Sequence, residues 1–274
     1  MGKDAAFHKT NLFKATLRQE WKASKNRIAY TSAVIAIVLL GAALTNFIAY
    51  QTQSNHVTFF GMTMYVIGML GLWAIPIYAL ARGSGNIRFM LFGDTSYLML
   101  LVPERSYALL AAKQLINLAE FAIYAIPAAI YLSFMGPTAG LIFKELFTIL
   151  IPFETDLGVS YWENVRSIYH WVFVEHFFDM LQYCARLVIL FVSAQATFNC
   201  AFALYSAFIH TKKPNGFLIL VILFFLFYLP LRITFIGIEG NAMSSFWNHL
   251  LRYVIFAAVY FAATSWLLEN KLEV

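Results

Sequence analysis

The chain has 274 residues, of which 61% are hydrophobic, 18% aromatic and only 12% charged, with mean hydropathy +0.70 and a formal net charge of +5. Soluble domains carry about 25% charged residues, so this composition excludes a water-soluble globular protein and makes lipid the solvent. Lipid offers the backbone no hydrogen bonds, and apolar runs of about 20–30 residues select membrane helices over alternating barrel strands.

In chain order, residues 1–27 are basic and amphipathic and lack the pattern of a secretory signal, so uncleaved insertion is expected. Phe13, Leu17 and Trp21 recur at i, i+4, i+8, beside a stripe of Lys14, Arg18, Lys22 and Lys25. This spacing predicts a cytoplasmic interfacial helix over 7–25, drawn to anionic lipid and anchored by Trp21. Six apolar segments follow, at 28–50, 59–81, 107–135, 181–209, 217–235 and 247–268, each long enough to span. The expected fold is all-α and integral to the membrane: an interfacial helix over 1–27, then one six-helix transmembrane domain over 28–274. Pro76, Pro127 and Pro230 fall inside spans and are expected to kink them.

Orientation follows from Lys and Arg on the connections. Residues 1–27 hold Lys3, Lys9, Lys14, Arg18, Lys22, Lys25 and Arg27; the second connection adds Arg82, Arg88 and Arg105, and the fourth Lys212 and Lys213. Residues 51–58 are uncharged, and 136–180 set Glu145, Glu154, Asp156, Glu163, Glu175 and Asp179 against Lys144 and Arg166. Both termini are therefore expected in the cytoplasm. The positive charge is topological in origin, and no nucleic-acid partner is expected.

Between the second and third spans, 83–106 is too apolar for a solvated loop and too interrupted to span; Gly83, Gly85 and Gly93 are expected to break it. An apolar cytoplasmic surface of this kind implies a protein partner or packing under the bundle. The third span carries Lys113, Gln114, Asn117 and Glu120, with Lys113 and Glu120 on one face two turns apart. Such groups are functional candidates, or Lys113 snorkels to the cytoplasm while Glu120 meets a partner helix. The acidic, aromatic region 136–180 reads as helices lying on the outer face, leading into Glu175, Asp179, Gln182 and Arg186 along one side of the fourth span. Arg186 is expected to pair with Asp179 or a neighbouring helix. Gln195 and Asn199, deeper in that span, either hold helices together or line a pathway. Cys184 and Cys200 are 16 residues apart, about 24 Å along one helix, too far for a disulfide within it.

Catalytic signatures are missing from the sequence. It has no GxxxxGK[ST] phosphate loop and no HExxH; Gly83-Ser84-Gly85 has no histidine nearby. Glu175, His176 and Asp179 have cation-ligand chemistry, but a polar interfacial face accounts for them better.

The order of parts, and above all Tyr97-Leu98-Met99-Leu100-Leu101-Val102-Pro103 followed by Arg105 and Lys113, resembles the small permease subunits of bacterial ABC-2 type exporters. That resemblance implies a half-transporter in the bacterial cytoplasmic membrane, dimerising with a second copy of itself and served by two copies of a separate ABC ATPase. ATP and Mg would be bound by that partner and no cofactor by this chain. Phe89, Asp94, Tyr97, Leu98, Pro103 and Arg105 would form the coupling contact, braced by the interfacial helix. The implied cargo is an amphipathic or antimicrobial peptide. The chain departs from the family in placing its longer external segment after the third span, with only 237–246 between the fifth and sixth. Two other classes are set beside this one: an ion-coupled carrier using Glu120, and an intramembrane enzyme, which would need a buried nucleophile and base.

Overall fold

The computed structural model describes residues 3–52, 55–92, 106–142, 161–209, 214–232 and 242–270. Among these there are helices and no strand: α1 Lys3–Thr52, α2 Asn55–Phe92, α3 Ser106–Ile142, α4 Tyr161–His170, α5 Phe177–Phe208, α6 Gly216–Arg232 and α7 Ala242–Asn270, with a π-helical turn at Trp171–Glu175. Five of them, α1, α2, α3, α5 and α7, are long and apolar enough to cross a membrane. The apolar part of α6, Gly216–Pro230, is shorter. Side chains such as Trp73, Phe178 and Phe217 stand more than 70% exposed. Apolar surface on that scale is stable only in lipid, so the chain is a multi-pass, all-α membrane protein.

Two boundaries differ from those read in the sequence. No break separates an interfacial helix from the first span: α1 runs unbroken for 50 residues, about 75 Å at 1.5 Å per residue. Nothing inside it interrupts the hydrogen-bond ladder, since it has no proline and Gly41 costs only about 1 kcal/mol. Gly83 and Gly85 likewise do not end α2, which continues to Phe92. The coupling residues Asp94, Tyr97, Leu98, Pro103 and Arg105 lie outside the described residues, as does the external stretch 143–160; Phe89 falls in the last turn of α2.

The chain divides into two compact units, each with its own core. One gathers α1 up to Ser24, α2 from Tyr78, α3 up to Ala119, α5 from Ala185, and α6 and α7. Its core is built on Ile87, Leu110, Cys200, Tyr205, Leu223 and Tyr260. Asn215 caps α6, its Oδ1 accepting from the Phe217 N–H at 3.0 Å while its own N–H donates to the Tyr205 hydroxyl at 2.9 Å. Pro230 has no N–H to give the carbonyl four residues earlier, Leu226, and the Tyr260 hydroxyl from α7 donates to that oxygen at 2.7 Å. The proline is tolerated in an apolar helix because a neighbour satisfies the group it frees.

The second unit gathers α1 from Lys25, α2 up to Ile77, α3 from Glu120, α4, the π-helical turn and α5 up to Cys184. Ile28, Leu39, Ala42, Ile75, Tyr124 and Tyr131 form its core. Gly68 is needed where it stands, because the Tyr131 hydroxyl occupies the place a Cβ would take. In α4, Glu163 in the first turn and His170 in the last match the ends of the helix dipole.

Candidate functional site

Four charged side chains of α1 and α3 pair inside the bundle. In the second unit, Arg27 Nη2 donates to Glu120 Oε2 at 2.9 Å, and the Tyr124 hydroxyl donates to Glu120 Oε1 at 2.6 Å. Glu120 is 1% exposed and the Arg27 side chain 25%. A carboxylate so buried is tolerable only with a charge partner and donors on its oxygens. Each oxygen of Glu120 thus accepts from one donor, and Arg27 is its counter-charge.

In the first unit, Lys113 Nζ donates to Glu20 Oε1 at 2.8 Å, and Lys113 is 8% exposed. Lys113 is thus paired and buried, and does not snorkel to the surface. The two ion pairs share a sequence separation of 93 residues, the relation expected of two helices running in the same direction. Glu20 and Arg27 are seven apart on α1, Lys113 and Glu120 seven apart on α3, with the order of charge reversed. The pairing is specific to one alignment: a slip of seven residues would bring Glu20 to Glu120 or Arg27 to Lys113.

A second polar group lies in the first unit. Asn117, Ser193, Gln195, Thr197 and Asn199 are all buried. A Cβ on Gly83 would lie 2.7 Å from Asn117 Nδ2 and 3.0 Å from Gln195 Nε2, so glycine is what admits α3 and α5 to the backbone of α2. Gln114 Nε2 approaches the Val192 carbonyl at 3.4 Å, and the Thr197 hydroxyl donates to the Ser193 carbonyl at 2.8 Å. Gln195 Oε1 and Asn199 Oδ1 have no hydrogen-bond partner among the described residues. These amides join helices, and two of their oxygens retain acceptor capacity.

The remaining residues singled out from the sequence are placed as follows. Phe13 and Leu17 are half-buried and Trp21 is 40% exposed. The expected apolar ridge on α1 therefore turns two of its three members into protein. Arg186 is half-buried on α5. His170 Nδ1 lies 3.3 Å from Glu175 Oε1, and the Trp171 ring stacks on His176 with centroids 4.2 Å apart. Among the described residues no three His, Cys, Asp or Glu side chains gather as metal ligands.

Sequence reading singled out Lys113 and Glu120 but missed their partners Glu20 and Arg27, along with Tyr124. The signal was present in the matching seven-residue spacings with inverted charge. No family model matches the chain, nor does any curated protein or solved structure.

Proposed function

We propose that this chain is the permease subunit of an ATP-driven exporter, working as a dimer with two copies of a separate ABC ATPase and moving an amphipathic or antimicrobial peptide outward. Six spans in a bacterial cytoplasmic membrane, with both termini inside, belong to this reading. The observation that carries it is the continuation of α2 beyond its apolar stretch. In the sequence that stretch ends at Ala81, before Arg82, and the helix goes on to Phe92, about 17 Å further.

Segment 93–105, the part resembling the exporter family, thus joins an overreaching α2 to α3, which begins at Ser106. An ATPase bound there would push on α3 almost directly. Helices are stiff, and the same α3 carries Lys113 and Glu120, each tied to α1. Displacement at 93–105 would then reach α1 through two charge pairs. The carrier reading is weaker, because the Glu120 carboxylate already has a fixed counter-charge in Arg27.

The test is co-purification of the tagged protein with the ATPase encoded beside it, comparing the natural sequence with Tyr97→Ala and Asp94→Ala. A stable complex whose ATP hydrolysis is loosened or uncoupled by those changes supports the reading. Failure to bind any such ATPase overturns it.

A further inference from the structure

We propose that Tyr205 on α5 is the positioning residue that ties the end of α2 to the start of α6, so that a partner engaging segment 93–105 moves α6 together with α3. The partner's role rests on the reading of 93–105 under the proposed function, whereas the tie rests on contacts within the first unit.

Beyond Arg82 the last turns of α2 bury Ile87 and Met90, while Arg88 between them stays exposed. That spacing is a helix laying one face on protein. Ile87, Leu91 and Phe92 pack into the cluster that holds Leu110 of α3, Tyr205 of α5, and Ile219 and Leu223 of α6. Segment 93–105 therefore leaves this cluster at Phe92 and returns to it in the second turn of α3.

Within the cluster Tyr205 is held at both ends. Its ring and that of Phe92 meet edge to face, with centroids 5.8 Å apart and planes at 67°, an arrangement that aromatic quadrupoles favour. Its hydroxyl accepts the Asn215 N–H at 2.9 Å. Asn215 then opens α6: its Oδ1 accepts from the Phe217 N–H at 3.0 Å, and its carbonyl from the Ile219 N–H at 3.2 Å. The first turn of α6 thus hangs on one residue, and that residue hangs on Tyr205.

Tyr205 is 1% exposed. A side chain so packed on all sides has little slack with which to absorb a displacement of its neighbour. A shift of Phe92 moves the hydroxyl, and the hydroxyl carries the Asn215 cap with it. The apolar contacts of the cluster are non-directional. The hydroxyl adds a fixed point, which a phenylalanine of nearly the same volume would lack.

The test is amide hydrogen exchange across 215–223, read by mass spectrometry on the full chain in nanodiscs, for the natural protein, Phe92→Ala, Tyr205→Phe and the pair. Tyr205→Phe should speed exchange at the Phe217 and Ile219 amides about fivefold, the equivalent of one lost hydrogen bond. Phe92→Ala should speed the same amides about two- to threefold, and should add nothing once the hydroxyl is gone. If Phe92→Ala also loosens α7, the milder Phe92→Leu takes its place. Natural exchange in Tyr205→Phe, or two effects that simply multiply, makes Tyr205 a space-filling residue and overturns the proposal.

A second arm uses the complex with the ATPase. Phe217 is 72% exposed, so a nitroxide at Phe217→Cys, with Cys184 and Cys200 replaced by serine, reports on the start of α6 without entering the core. Its spectrum should differ between nucleotide-free and ATP-bound complexes, and Tyr205→Phe should abolish that difference while the complex still forms. No difference in the natural complex, or one that survives Tyr205→Phe, overturns the proposal. If no ATPase binds, it is the exporter reading that falls, and the exchange arm, which needs only this chain, decides the tie.

Discussion

Replacing Glu120 with glutamine removes the charge facing Arg27 while preserving side-chain volume. At 2.9 Å, with an effective dielectric constant of about 20, the Coulomb attraction is about 6 kcal/mol. Desolvation of both groups offsets much of it, and Arg27 is a quarter exposed, so we expect a net coupling of about 1–3 kcal/mol. Glu120→Gln alone should cost about 2–3 kcal/mol, because Arg27 is left without its counter-charge and one amide hydrogen faces a donor. Arg27→Gln should cost a similar amount, and the double variant less than the sum. The assay is reversible unfolding by SDS titration in mixed micelles, followed by tryptophan fluorescence. The exchange Arg27→Glu/Glu120→Arg should recover part of the loss. Losses that add within about 0.5 kcal/mol would refute the pairing.

Glu20→Lys should destabilise the first unit, and Lys113→Glu in the same chain should restore it; the same titration checks this, and no restoration would argue against the shared alignment of α1 and α3. Tyr260→Phe should cost about 1 kcal/mol by stranding the Leu226 carbonyl, but almost nothing in a Pro230→Ala background, where residue 230 supplies an N–H; equal cost in both backgrounds would refute that role. Gly83→Ala should cost about 1–2 kcal/mol by driving its methyl into Asn117 and Gln195, with partial rescue by Asn117→Ala, read from the thermal melt in detergent. Glu120→Gln should leave partner-driven ATP hydrolysis partly intact, whereas complete loss of transport with a stable fold would favour the ion-coupled carrier.

Much of the candidate site was half legible. Lys113 and Glu120 stood out as ionisable groups in an apolar run, which lipid permits only when they are paired or functional. Their partners were harder to see, because Glu20 and Arg27 lie in a segment whose many cations suggested a surface helix. Which of several charges meets another depends on how two helices are rotated about their axes, and the linear chain does not state that rotation. The exporter resemblance rests on the order of parts and on Tyr97–Pro103, Arg105 and Lys113, a pattern of residue types legible along the chain itself.

Composition and the length of the apolar runs determined the solvent, the helical class and the approximate place of the spans, because a backbone in lipid has few ways to satisfy its hydrogen bonds. Pro230 was legible as an interruption needing relief. Tertiary structure alone decided that Gly83 is a point of close approach rather than a break, that Tyr260 answers Pro230, and that the basic stripe faces away from the core. Each of these turns on contacts between residues distant in sequence: Gly83 meets Asn117 and Gln195, Tyr260 meets Leu226, and one ion pair, Glu20 with Lys113, set the rotation of α1 in the first unit.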